Sequence, residues 1–435
     1  MTAMTNPSAS SSPTSDQPCC EEYAAMRRTA YGERATHGVS RRGVLGGALA
    51  LAGASTMVGG AVVTASPAMA ASAASVLVVV SLRGGSDGLN MVVPHADPDY
   101  YRARPNIAIP SDRLLVKDGM FGLHPAMASL VPLWSNGQIA TVHAAGLPVA
   151  NRSHFDAIEE VEDADPGSRA RVGWLNRLIG TTPGNAPLQG FSAGSSMIPT
   201  SLFGPQPAMS ADRVEDVGLP GAGDEGWRER SVRALWSGNR TTLGRSMDAT
   251  LTAIHTFGTV ESTDDNRQLY PGNDLGRALA TAARIIRGDV GVEVITVDQG
   301  DWDMHSGAGG PNGGWMYGNN EGFAEAIAAF LGDLGTQAPK VTLVTLSEFG
   351  RRVQENDNYG TDHGYGNVMF VAGAGVRGGY HGRWPGLANS YDSDLTVTTD
   401  YRQVLADIVQ ARFGASIPKV FPGLKRQSTG CMIGV

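Results

Sequence analysis

The stretch from Gly291 to Gly379 limits what this chain can fold into more than any other. It holds three short apolar runs rich in β-branched residues: Glu293–Val297, Val341–Leu346 and Val368–Ala372. Runs of this length and composition read as buried strands. Two of the three lead, at their C-terminal ends, into polar segments that carry acids or histidines. In an open α/β sheet the loops at those ends converge over one crevice, where ligands bind. Asp301, Asp303, His305, Glu348, Asp362 and His363 sit in such loops. A cluster of carboxylates and imidazoles is what a divalent metal needs.

The rest of the chain repeats a strand–loop–helix order. Ser75–Leu82 is a continuous apolar run without alternation, which suits a central strand buried on both faces. Gln138–His143 reads as another strand. Helical patterns follow at Phe155–Glu162, Leu275–Arg287, Glu321–Leu334 and Asp400–Phe413. Together they predict a doubly wound, three-layer α/β/α sandwich. Residues 75–435 form a single domain, and the weakly patterned block at 164–290 reads as an inserted cap that shapes substrate access.

Arg83-Gly84-Gly85-Ser86-Asp87 closes the first strand without the spacing of a dinucleotide-binding fingerprint. Asp87 is either a metal ligand at a strand end or part of an Asp-Gly turn. Ser153 stands at the start of the Phe155–Glu162 helix. It is an N-cap on one reading and, with Arg152 holding substrate oxygens, a nucleophile on the other. His154, Arg83 and Arg351 are candidates for contacting substrate.

The N-terminus reads as an address. Residues 1–39 form a polar leader, and residues 40–70 carry Arg41-Arg42 before a Gly/Ala-rich apolar run that ends in Pro67-Ala68-Met69-Ala70. Paired arginines with an A-x-A site describe a twin-arginine export signal cleaved after Ala70, with an uncleaved membrane anchor as the alternative. The expected partner is the twin-arginine translocase, and the mature protein would be periplasmic, cell-wall or extracellular, without a stable membrane span. Cleavage leaves Cys431 as the sole cysteine, so an internal disulfide is excluded. A formal charge of −8 and the lack of a dense Lys/Arg block argue against nucleic acid as a partner.

Several phrases, LRGGSDGLN, FGLHPA, NRSHF, GDWDMH, SEFGR, GTDHGYGN and VTTDYRQVLADI, resemble the bacterial exported family known as domain-of-unknown-function family 1501. The likeness runs over essentially all of the chain from Ser75. That family in turn resembles the alkaline phosphatase and sulfatase superfamily. The resemblance implies a central sheet between helices with one or two divalent metals (zinc, manganese or calcium) at its strand ends. It further implies Asp87-Gly88 as the opening metal-binding pair and Ser153 as the nucleophile. Asp301 and His305 match a D-x-x-x-H metal spacing, with Asp303 an equal candidate. His363 corresponds to the last metal histidine. At Ser347-Glu348-Phe349 the chain departs from the superfamily's Asp-His pair. Glu348 can replace the acid, but Phe349 cannot ligate, so one metal position lacks its imidazole unless His154 or Asp362 substitutes. Two functions follow: a metal-dependent hydrolase of a small phosphate or sulfate ester, or a non-catalytic relative acting as a binding or assembly protein at the cell surface.

Overall fold

The computed structural model describes residues 72–435 apart from 182–187 and 220–225, together with the backbone of two short strands at Ser55–Val58 and Ala61–Thr64. Arg41, Arg42 and Ala70 lie outside the described residues. No described helix is long and apolar enough to cross a membrane.

The protein is a mixed α/β fold built on one large, mostly parallel sheet with helices on both faces. Its strands in chain order are β1 (Val76–Leu82), β2 (Ile139–Gly146), β3 (Gly190–Ala193), β4 (Ala208–Ala211), β5 (Val294–Gln299), β6 (Val341–Leu346), β7 (Asn367–Gly373) and β8 (Gly379–His381). Across the sheet they run β4-β3-β5-β1-β6-β7-β2-β8, with Ala61–Thr64 antiparallel beyond β4. β4, β3, β5, β1 and β6 are mutually parallel, and β7 alone in that row is reversed, antiparallel to both β6 and β2. β1 sits at the centre, with Val79 facing Val344 on one side and Thr296 on the other.

The sequence of β1 explains the layering. Side chains alternate across a strand, so Val76, Val78, Val80 and Leu82 enter one core while Leu77 and Val79 enter the other. The first core is closed by α4 (Asp274–Arg287) and α5 (Trp315–Asp333). The second is closed by α1 (His154–Asp163), α2 (Trp174–Ile179) and α6 (Tyr401–Phe413). α4 shows why: Leu275, Ala278, Leu279, Ala282, Ile285 and Ile286 recur at helical spacing and are all buried.

Within the block expected to be a cap, β3 and β4 join the sheet itself, and α4 packs on it. α3 (Thr242–Glu261) reaches the edge hairpin.

The sheet places the candidate site. β1, β5, β6 and β2 all point their C-terminal ends to one edge, and reversed β7 begins there. Residues 83–87, 300–305, 347–351, 147–154 and 362–366 therefore gather at that edge, although they are scattered along the sequence. Two glycines permit the closeness. Gly84 has φ +113°, and a Cβ there would lie 2.5 Å from the Asp303 backbone nitrogen. Gly85 has φ +71°, and its Cβ would strike the Phe349 ring at 2.5 Å. Only a residue without a side chain tolerates both the conformation and the contact.

Candidate metal centre

Three imidazoles meet at the strand edge around one carboxylate. His363 Nε2 lies 3.1 Å from His154 Nε2 and 3.0 Å from His305 Nε2. Asp303 Oδ1 is 3.0 Å from His305 Nε2, 3.3 Å from His363 Nε2 and 3.7 Å from His154 Nε2. His154 and Asp303 are buried, and His363 and His305 form the more open side.

The opposite nitrogen of each ring decides what these atoms can do. His154 Nδ1 faces Glu348 Oε1 at 2.8 Å, His305 Nδ1 faces Asp362 Oδ1 at 3.0 Å, and His363 Nδ1 faces the Arg152 carbonyl at 3.0 Å. All three partners accept hydrogen bonds, so a neutral ring must carry its proton on Nδ1. The Nε2 atoms of His154 and His305 then each turn a lone pair toward His363 Nε2, and all three lie beside the Asp303 carboxylate. Such an arrangement is repulsive unless a cation, or an extra proton, sits among the four atoms. Imidazoles anchored through Nδ1 to a carboxylate or carbonyl are the usual pattern for metal-binding histidines. Donors about 2.0–2.2 Å from a shared zinc-sized ion lie roughly 3.0–3.5 Å apart; His154, Asp303 and His363 form the compact group, all within 4.8 Å of one another, and His305 joins it through its 3.0 Å approaches to His363 and Asp303. Asp303 Oδ2, moreover, is buried and has no hydrogen-bond partner. The donor set fits a divalent metal.

Ionisation follows the same geometry. Burial disfavours a charged His154, but hydrogen bonds to Asp303 and Glu348 outweigh it and raise its pKa to about 9 without a metal. Burial would raise the Asp303 carboxyl; hydrogen bonds from the three histidines and the charge of Arg351 hold it well below the usual carboxylate range. Glu348 is also lowered, because His154 and the Gly84 N–H together overcome its burial. Burial lowers His363.

The arginine and acidic side chains divide their work differently. Arg351 is fully buried: its guanidinium donates to Asp303 Oδ1 at 2.6 Å and to the carbonyls of Gly84, Gly85, Trp302 and Thr361. It ties the loops after β1, β5 and β6 together and is spent on backbone. Arg83 pairs with Glu162 on α1 at 2.5 Å and with Asp298 on β5 at 3.2 Å, which clamps the His154 helix to the sheet. Asp87 does not join the cluster, because Arg104 holds both its oxygens, at 2.7 and 3.0 Å, in a buried ion pair. Asp301 adopts a left-handed backbone (φ 68°), and its carbonyl accepts from Asn319. The Arg152 side chain pairs with Asp394 at the surface while its carbonyl orients His363.

Ser153 caps α1, its hydroxyl accepting from the Asp156 N–H over a long 3.5 Å. It is half-buried and directly precedes His154. Phe349 is buried, its ring centre 4.9 Å from that of His154 and 4.7 Å from that of His363. Where the sequence lacks an imidazole, Phe349 acts as a packing plate, and His154 brings the third ring from α1.

The model of the family described as "Protein of unknown function (DUF1501)" matches residues 121–410. The chain belongs to this family. The matched span includes all four converging residues, with Glu348 and Asp362. No curated protein matches the chain. Among solved structures, it is similar to a "putative sulfatase" from Bacteroides thetaiotaomicron VPI-5482. The identity is 10%, the TM-score 0.31, and the match covers 81% of this chain and 76% of that one.

Proposed function

We propose that this protein is an exported, metal-dependent hydrolase of phosphate or sulfate esters, with one divalent metal held by His154, Asp303, His305 and His363. The observation that carries the reading is the convergence of three Nε2 lone pairs on a carboxylate with one unpartnered buried oxygen. Nitrogen-rich donors suit zinc, whereas manganese prefers oxygen donors and calcium takes six to eight of them. A metal bound there supplies Lewis-acid polarisation of an ester oxygen and stabilises charge on the transferring group.

The chain's own residues do the remaining work. Glu348 and Asp362 hold the His154 and His305 rings in the required tautomer, and the Arg152 carbonyl does so for His363. Arg351 fixes Asp303. Ser153 serves as the nucleophile from the start of α1, where the positive end of the helix dipole favours an anionic group. Arg41-Arg42 and the A-x-A site at Ala70 support export through the twin-arginine translocase.

One feature favours the second reading, a non-catalytic binding or assembly protein. Four protein donors can close a tetrahedral site, as in structural zinc centres, and Arg351 offers no free face to an anion. Elemental mass spectrometry of untagged protein, followed by a screen of aryl phosphates and sulfates, separates the two. A stoichiometric metal that disappears in His363→Ala, together with ester turnover, is the expected result. A stoichiometric metal without turnover supports the second reading, and a protein that stays metal-free after exposure to zinc and manganese refutes the hydrolase and leaves the binding protein, its histidines only hydrogen-bonded to one another.

A further inference from the structure

A metal at the centre can take one oxygen of an anionic ester, and Arg351 and Arg83 are not available for the others. Arg351 is held by Asp303 and backbone carbonyls, and Arg83 by Glu162 and Asp298. Arg152 is placed differently. Its carbonyl oxygen lies 3.0 Å from His363 Nδ1, so only the width of an imidazole and one hydrogen bond separate its backbone from the converging Nε2 atoms. An arginine side chain is longer than that ring, and its planar fork of donors matches paired oxygens of phosphate or sulfate. Yet the guanidinium is turned aside and pairs with Asp394, with 42% of the side chain exposed.

Asp394 is the anchored end of that pair. It forms a backbone bridge with Arg352, the Val353 N–H donates to the Ser393 carbonyl at 3.0 Å, and the Arg352 N–H donates to the Asp362 carbonyl at 3.0 Å. The loop that carries Asp394 is therefore fixed to the segment that carries Asp362 and His363. Asp394 Oδ1 is buried without a hydrogen-bond partner and lies 3.8 Å from Arg352 Nε. When Arg152 departs, a second guanidinium already stands beside the carboxylate, so its charge keeps a partner. Arg152 is the end that can move, because an ion pair this exposed holds only weakly.

On the metal-dependent reading just given, we propose that Arg152 is the anion clamp of this site and that Asp394 is its positioning residue, holding the guanidinium aside until an anionic ester replaces the carboxylate as its partner. The exchange swaps one oxyanion for another, and a charge-assisted pair exists on both sides of it. It also narrows the substrate class. One terminal oxygen on the metal and two on the guanidinium fork require three terminal oxygens on one phosphorus or sulfur. Monoesters of phosphate and sulfate have three, whereas a phosphate diester has two. The site is built for monoesters.

Calorimetric binding to the zinc-loaded full chain tests this without turnover, with zinc content measured for every variant. Methyl sulfate and dimethyl phosphate carry the same single charge but differ in terminal oxygens. Methyl sulfate is expected to bind roughly tenfold or more tighter, and Arg152→Ala to lose that preference. With inorganic phosphate as the probe, Asp394→Asn should strengthen binding by about two- to fivefold, the hold of an exposed ion pair, and should change nothing in an Arg152→Ala background. That background matters, because loss of a nearby negative charge alone would favour an anion in both. Equal affinity for the two monoanions, weaker or unchanged phosphate binding in Asp394→Asn, or an equal gain in both backgrounds would each overturn the clamp. Hydrolysis of aryl esters beside any of those results would leave the hydrolase standing without it. The expected binding pattern with no turnover would keep the clamp and remove the hydrolase, and a chain that takes up no zinc would remove both.

Discussion

Replacing Glu348 by Gln separates a metal centre from a merely hydrogen-bonded histidine cluster. Glu348 is 3% exposed, and its Oε1 accepts from His154 Nδ1 and from the Gly84 N–H, each at 2.8 Å. Glutamine keeps the shape and can still accept both bonds through its amide oxygen, but it removes the charge that makes His154 a stronger donor to a metal. Loss of an outer carboxylate of this kind lowers metal affinity about 10- to 100-fold, or roughly 1.4–2.8 kcal/mol. Stability of the metal-free protein should change less than in Glu348→Ala, which strands two buried donors at about 1–3 kcal/mol each. The assay is competition with a chelator of known affinity on folded protein, with urea unfolding run in parallel. An unchanged metal affinity in folded Glu348→Gln would refute the claim that Glu348 tunes a metal through His154. A large loss of stability without any metal bound to the unaltered protein would show instead that the cluster is an ion pair in the core.

Three further outcomes are expected. Asp87→Asn should cost about 3–5 kcal/mol in urea unfolding, because it leaves the Arg104 guanidinium buried without its charge partner, and the metal should remain; loss of metal at unchanged stability would make Asp87 a ligand. Ser153→Ala should abolish ester hydrolysis while costing only about 0.5–1 kcal/mol, since its cap bond is long; surviving activity would show that Ser153 is not the nucleophile. Metal affinity should rise about tenfold per pH unit from roughly pH 7 to 9, because His154, at about 9 without metal, must lose a proton to bind; a flat profile would mean that its Nε2 is not a donor. The sign reverses for the metal-free fold: a pKa raised from 6.5 to about 9 gives stability that is complete below pH 6.5 and is lost as pH rises through about 9.

How much of this was legible in the sequence depended on how local the cause was. Val341–Leu346 and its neighbours announce themselves because β-branched runs of strand length have few other uses, and the structure gives β6 those same bounds. β3 and β4 were missed. Their sequences, GFSA and AMSA, are short and built largely of small residues, and they are strands because β5 offers β3 a parallel edge and β3 offers one to β4. The gathering of Asp303, His305, Glu348, Asp362 and His363 at one edge was legible from strand ends. Their division into inner and outer positions was not, since that depends on which way each side chain points. His154 was the hardest to place. It is far along the chain from its neighbours, and only the position of β2 in the sheet brings the start of α1 over the loops after β5 and β6. A histidine beginning a helix directly after a strand of the same sheet was the available signal.

The balance of charge explains why these residues occur together. Asp303, Glu348 and Asp362 bring three negative charges to the cluster, and the Arg351 guanidinium bound to Asp303 returns one. With all three rings neutral, two negative charges remain beside a partly buried space, which is unfavourable in a low-dielectric environment. A single divalent cation cancels that excess and satisfies the three lone pairs at once. Without it, the protein has one inexpensive remedy, protonating the most enclosed ring, and the raised pKa of His154 is that remedy. The proton on His154 and the metal are therefore alternatives for one position, so loading the protein with zinc at pH 7 should release close to one proton per ion from this ring. Proton release measured in weakly buffered solution checks it. Zinc uptake without release would mean that His154 is already neutral and that the excess charge is balanced elsewhere.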